Sequence, residues 1–168
     1  YIPILTTFLS IYFFIEIYKH YSSKKKKYLL WWMLGVVTFG LGTLSESLHA
    51  LIGYNEFNLR FWYIIGALLG GFPLAQGTVY LLFSKKFANR TTVFFVSYII
   101  IAAIFVIMTP ISIPEDFDGR LTGKVFEWTC VRLFSPLINL YAFIFLVGGA
   151  IYSAYKYFKM KNLLYRVY

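Results

Sequence analysis

Glu46 and His49 are the two residues of this sequence whose types and spacing could most readily do chemistry. Both side chains ionise, and both lie in a long apolar stretch. They are three residues apart, so on a helix they share one face. Ionisable side chains at membrane depth are costly and are therefore candidates for a functional site. The pair could accept a proton, bind a ligand or supply half of a metal site.

A structural role for this pair competes with those functions and is favoured. Glu46 could form an ion pair with Arg60 or Arg132, and His49 could hydrogen-bond a neighbouring carbonyl group. Glu-x-x-His repeats supply ligands in di-iron bundles, but those proteins use two copies and further carboxylates. This chain has one copy, so we predict no metal site. A second ion pair is expected between Glu127 and Arg132.

Gln76 and Asn139 are two further polar residues within apolar stretches. Gln76 follows Pro73 by about one helical turn. It could satisfy a carbonyl group that the proline frees, or it could contact a ligand. Asn139 could hydrogen-bond between helices. With Glu46 and His49, these two residues form the candidate ligand or proton site.

Other kinds of chemistry have less support in the sequence. Cys130 is the single cysteine, so an internal disulfide is excluded, and a small packed residue near a helix start is expected. His20 and His49 would lie roughly 20 Å apart across a bilayer, so they cannot hold one haem. No nucleotide-binding or hydrolase motif is present, so no catalytic residue and no cofactor are assigned. Contact with a lipid, a lipophilic pigment or a quinone stays open.

The elements that carry these residues are expected to be membrane-spanning helices. The 168 residues are 60% hydrophobic and 14% charged, whereas soluble domains are about half apolar and a quarter charged. Apolar runs of about 20 residues cross the hydrocarbon layer as helices, because lipid offers no partner for backbone groups. We predict one all-α polytopic membrane helix bundle of about five spans. The expected spans are 2–18, 29–52, 61–83, 92–113 and 133–157.

The distribution of charge predicts how these spans are oriented. The net charge is +9, and most basic residues lie in the first loop (Lys24–Lys27), the third loop and the C-terminal tail. The acidic residues Glu115, Asp116 and Asp118 lie in a loop of the opposite set. The positive-inside rule then predicts N-out and C-in topology, and it explains the net charge without nucleic acid. Trp62 is expected to anchor the outer interface.

Small residues indicate which helix faces meet in such a bundle, because lipid provides no hydrophobic drive for packing. The second, third and fifth spans are expected at its centre, and the fourth, from Phe94 to Met108, is expected to face lipid or a partner. The glycines assigned to packing are Gly35, Gly42, Gly66, Gly70, Gly77 and Gly149.

Three stretches also carry a resemblance: GTLSESL at 42–48, RFWYIIGALLGGFPLAQGTVYLL at 60–82 and RLFSPLINLYAFIFLVGG at 132–149. They resemble an uncharacterised family of bacterial multi-pass membrane proteins with about seven spans. The resemblance implies no known activity. It implies that two further C-terminal helices belong to the protein.

The sequence favours a non-enzymatic integral membrane subunit that packs within a larger membrane protein assembly. Its expected partners are the lipid bilayer and other membrane protein subunits, and its expected location is the bacterial inner membrane. The alternative is a small transporter or a ligand- or proton-sensing membrane protein. That alternative requires Glu46, His49, Gln76 and Asn139 to converge on one cavity. A membrane enzyme acting on lipid is a third hypothesis, and no second catalytic group supports it.

Overall fold

A computed structural model describes residues 2–113 and 119–160 of the chain. Its helices are α1 (Ile2–Lys24), α2 (Lys27–Ile52), α3 (Glu56–Trp62), α4 (Phe72–Leu82), α5 (Lys85–Met108) and α6 (Cys130–Met160). A π-helical turn, Tyr63–Leu68, follows α3, so that Glu56–Leu82 forms one membrane-length stretch. Within the described residues, five such stretches are long and apolar enough to cross a membrane. The prediction of an all-helical bundle of about five spans is confirmed.

Local capping decides where these helices begin and end, so their bounds differ from those of the apolar runs. The fourth span was predicted at 92–113, but α5 begins and ends earlier. Ser84 starts it, because its Oγ accepts a hydrogen bond from the Phe87 amide at 3.3 Å. Thr109 ends it in an extended conformation, since the residue before a proline disfavours helix and Pro110 cannot continue one. The acidic residues 115–118 lie outside the described ranges.

The third span is two helices rather than one kinked helix. The π-helical turn ends at Leu68, and α4 begins at Phe72 after a short turn that contains Gly70 and Gly71. Pro73 sits in the first turn of α4, where a backbone N–H has no intrahelical partner and its absence costs little. The proline therefore starts a new helix instead of freeing a carbonyl group within an old one.

The bundle has two chemically different ends. At one end the Lys27 ammonium lies 5.7 Å from the centroid of the Tyr80 ring, so the lysine-rich turn after α1 adjoins the end of α4. We call this the basic end, since Lys85 and Lys86 begin α5 just after α4 ends. We call the opposite one the Arg60 end. Which end faces the cytoplasm stays a prediction.

The third span is the centre of the bundle and α1 is its periphery. In the most apolar window of the third span 44% of the residues are buried, against 6% in α1. Ser10 is the one buried residue of α1, and its hydroxyl lies against Gly40 of α2. The fourth span is not wholly outward-facing, because one stripe of α5 is buried in the core. That stripe comprises Phe95, Ile99, Ala102 and Val106.

Candidate functional site

A groove of about 290 Å³ opens between α2 and the π-helical turn. Its lining includes Phe39, Thr43 and Glu46 of α2. The facing wall includes Trp62, Gly66, Ala67 and Gly70 of the third span. We call it the Glu46 groove.

Glycine and the π-helical turn together shape this groove. A Cβ atom added at Gly42 would lie 3.7 Å from the Cα atom of Gly66, so the two backbones approach closely. A Cβ atom added at Gly70 would overlap the carbonyl oxygen of Gly66. Larger side chains at these positions would therefore narrow the groove or move its walls. π-Helical turns occur frequently at functional sites.

Glu46 is the ionisable group of this groove. Its Oε1 atom accepts a hydrogen bond from the Trp62 indole Nε1 at 3.1 Å, and no other hydrogen bond to Glu46 is found within the described residues. The expected ion pairs with Arg60 or Arg132 are not formed. The ion pairs in the described part of the chain are Glu16–Lys19 and Glu56–Arg60.

His49 lies one turn further along α2 and does not line the Glu46 groove. Its Nε2 atom hydrogen-bonds the Gly119 carbonyl oxygen, and because a carbonyl only accepts, Nε2 carries the proton. The other ring nitrogen, Nδ1, is buried without a hydrogen-bond partner in the described part of the chain. This is the kind of carbonyl contact that the structural interpretation predicted for His49.

Gln76 is fully buried and holds three helices together near the basic end. Its Nε2 atom donates to the Ala88 carbonyl oxygen at 2.9 Å and lies within 3.2 Å of the hydroxyls of Thr91 and Thr92 on α5. Its Oε1 atom accepts from the Tyr141 hydroxyl of α6 at 2.6 Å. We call these five residues the Gln76 network. The amide needs neither a ligand nor a carbonyl freed by Pro73.

Asn139 is exposed on α6. No hydrogen bond to its side chain is found among the residues that the structure describes. The four candidate residues thus occupy separate places: Glu46 in the groove, His49 against Gly119, Gln76 in the core and Asn139 on the outer surface. Among the described residues, these four side chains therefore do not meet in one cavity, as the transporter or sensor hypothesis requires.

Arg60 has a role that sequence reasoning missed. Its Nη2 atom lies 2.6 Å from the Glu56 carboxylate, while Nη1 donates to the carbonyl oxygens of Val106, Ile107 and Thr109. These carbonyls end α5, where helices lack intrahelical donors and carry partial negative charge. Arg60 therefore caps the C-terminus of α5 from a different helix. Only the tertiary structure brings these groups together.

Two further sequence predictions fail near the start of α6. Glu127 and Arg132 are both exposed, and they do not form an ion pair within 4.0 Å. Cys130, expected to be packed, is an exposed free thiol.

The glycines assigned to packing divide between helix contacts and the groove. A Cβ atom added at Gly35 would overlap Leu74, and one added at Gly77 would overlap the Trp32 ring. A Cβ atom added at Gly149 would overlap Thr78. Those three glycines are buried, whereas Gly66 and Gly70 are half-buried along the groove. The adjacent Gly70 and Gly71 before Pro73 were the sequence signal for the break that shapes the groove.

Comparisons with known protein families, with curated proteins and with solved structures found no match to this chain. The resemblance to a bacterial seven-span family therefore stays a prediction, while the helical, membrane-type architecture stands on the structure itself.

Proposed function

We propose that this protein is a non-enzymatic subunit of a membrane assembly, and that the exposed side of α6 packs against a helix of another chain. The observation that carries the proposal is the exposed amide of Asn139, which has no hydrogen-bond partner among the described residues. We call the surface around it the Asn139 face. Its exposed residues are Pro136, Asn139 and Phe143.

The depth of Asn139 makes its exposure informative. It lies nine residues after Cys130, roughly 13 Å along α6 at 1.5 Å per residue, and thus inside the apolar span. An asparagine amide offers two donors and one acceptor oxygen. Lipid tails satisfy none of them, whereas amides in membrane helices hydrogen-bond across helix contacts, which contributes about 1–2 kcal/mol in model peptides. A helix presenting an amide or a hydroxyl would supply the missing partner.

A purely local role for Asn139 has less support. Pro136 removes one backbone donor within α6 and would leave the Arg132 carbonyl without its intrahelical partner. The Ser135 hydroxyl lies 3.4 Å from that carbonyl oxygen and donates to it. The backbone irregularity is thus already compensated by Ser135, and Asn139 is not needed to repair it.

We further propose that the protein lies in a bacterial inner membrane with its basic end in the cytoplasm. The concentration of lysines at one end supports this orientation, because basic residues are retained on the cytoplasmic side. Accessibility of Cys130 to a membrane-impermeant thiol reagent tests it, since Cys130 is exposed at the Arg60 end. We expect Cys130 to be labelled from outside intact cells. Labelling of Cys130 only after lysis would show the opposite orientation.

Asn139→Leu tests the assembly. The wild-type chain, extracted in mild detergent, should migrate as a complex, and Asn139→Leu should shift most of it to a monomer. Asn139→Gln keeps the amide and should retain the complex. The control Asn139→Leu/Leu140→Asn keeps the composition but turns the amide by about 100° around the helix, so it should behave like Asn139→Leu.

The helical circular dichroism of all variants should match that of the wild type, which separates lost assembly from lost folding. A wild-type chain that runs as a lone monomer would contradict the proposal. So would a complex of unchanged size in Asn139→Leu.

The transporter or sensor alternative has weaker support, because it required four polar residues to share one cavity. Of these four residues, Glu46 lines a groove, whereas Gln76 is satisfied within the core.

A further inference from the structure

We propose that the Glu46 groove binds an amphiphile with a primary ammonium head, which the Glu46 carboxylate and the Trp62 indole would contact. The two sources of such a ligand are a bilayer phospholipid with an amine headgroup and a free single-chain amine. This site is separate from the Asn139 face and does not depend on the proposed assembly.

The polar groups of the groove point to a cationic ligand. A carboxylate can accept about four hydrogen bonds, whereas Glu46 accepts one from Trp62 within the described residues. The hydroxyls of Thr38 and Thr43, which also line the groove, already donate to the carbonyls of Gly35 and Gly40. Glu46 is therefore the ionisable lining group, and most of its acceptor capacity is unused among the described residues.

The contact with Trp62 occupies one acceptor site of the Glu46 side chain. An indole N–H only donates, so the Oε1 atom that it meets must accept. No cationic side chain of the described residues lies within 4.0 Å of it. An ammonium group would complete the charge pair.

The depth of the site fits the head of a membrane amphiphile. Glu46 precedes the end of α2 at Ile52 by six residues, or about 9 Å along the helix. That distance reaches from the water-exposed end to about the edge of the hydrocarbon layer, allowing for the headgroup region. The groove continues along α2 to Thr38, about 12 Å deeper, where an alkyl chain would lie.

A neighbouring groove shows what the Glu46 groove has in addition. It is larger, about 390 Å³, and is lined by residues such as Leu44, Leu48, Phe57 and Phe61 without any ionisable side chain. Such a surface can accept a hydrocarbon chain but has no charged group that would select among lipid headgroups. Charge complementarity thus distinguishes the Glu46 groove and defines the class of ligand.

Quenching of tryptophan fluorescence by brominated lipids tests the proposal, because bromine quenches only an indole that it contacts. The full-length chain is reconstituted in vesicles of brominated phosphatidylethanolamine or brominated phosphatidylcholine, which differ in the amine. We expect the phosphatidylethanolamine, which has the primary amine, to bind beside Trp62 with about tenfold higher affinity than the phosphatidylcholine. A charge-assisted hydrogen bond would account for a difference of this size. The Trp62→Phe variant identifies its share of the signal among the four tryptophans.

Variants of Glu46 and of a control carboxylate complete the experiment. Glu46→Gln should abolish the preference for the amine lipid and leave Trp62 in place. Glu127→Gln removes an exposed carboxylate from the same end of the bundle and should keep the preference. A detergent titration with dodecylamine and dodecanol then separates the sources, since preference for dodecylamine without preference among the lipids identifies a free amine.

Three outcomes would overturn the proposal. The first is equal quenching by both lipids together with equal affinity for amine and alcohol. The second is an amine preference that survives in Glu46→Gln. The third is a Trp62 that neither lipid quenches, which would mean that a protein helix covers the groove.

Discussion

The Gln76 network and the Glu46 groove both place a polar side chain at a contact of the third span, yet one is closed and the other is open. Gln76 is fully buried, and both ends of its amide are bonded to neighbouring helices. Glu46 is half-buried, accepts one hydrogen bond from the described part of the chain and faces a groove. A buried amide that meets its partners within the chain stabilises the bundle, whereas a carboxylate with unused acceptor capacity is available to a ligand.

This difference follows from the side chains around each residue. Around Gln76, the threonines of α5 and Tyr141 of α6 provide hydroxyls within hydrogen-bond distance. Around Glu46, the facing residues Gly66 and Ala67 have little or no side chain. Small residues usually allow helices to pack closely. In the π-helical turn, the small residues Gly66 and Ala67 instead leave a groove beside Glu46. The glycine content of a segment alone therefore did not predict whether the segment forms a closed helix contact or an open groove.

Gln76→Leu should produce the largest effect. It deletes hydrogen bonds to two helices and leaves the Tyr141 hydroxyl buried without its acceptor, so the free energy of unfolding should fall by about 3 kcal/mol. The measurement is a sodium dodecyl sulfate titration followed by circular dichroism. Tyr141→Phe should then cost less in the Gln76→Leu background than in the wild type, because the two residues share one bond. Strictly additive costs would show that they do not act as a network.

Glycine-to-alanine changes should separate the packed side of the third span from its groove side. A Cβ atom at Gly77 would overlap the Trp32 ring, so Gly77→Ala should lower the free energy of unfolding by about 2 kcal/mol. Gly66→Ala is the matched control, since its Cβ atom would meet the Trp62 indole at an ordinary 3.7 Å. Gly66→Ala should lower the free energy of unfolding by less than about 0.5 kcal/mol. Equal losses of unfolding free energy for the two variants in the same titration would show that the packed side and the groove side do not differ.

Glu46→Gln should have the smallest effect on stability. The amide oxygen of glutamine can still accept from Trp62, and no ion pair with a described residue is lost. The free energy of unfolding should therefore change by less than about 0.5 kcal/mol. A loss near that of Gln76→Leu would mean that Glu46 is a structural residue, and the contrast between the two sites would fail.

The five apolar stretches could be predicted from the sequence because the bilayer imposes length and helical hydrogen bonding on each stretch separately. Helix ends were less predictable, since they depend on single residues such as Ser84 and Pro110. Among the candidate site residues, Gln76, Asn139, Glu46 and His49 were recognised as polar groups at membrane depth. Their grouping into one site was wrong, because the spacing of residues along a helix says nothing about neighbouring helices.

The sequence by itself thus determined the number of spans, the separation of basic residues toward one end, and the presence of a few costly polar groups. Each of these is a local property of composition or of a single helix. Only the tertiary structure decided that Arg60 caps α5, that Gln76 is bonded within the core, and that Glu46 accepts a single hydrogen bond from the described residues. These outcomes depend on which side chains of other helices come within about 3 Å, the range of a hydrogen bond, and packing of the whole bundle sets those distances.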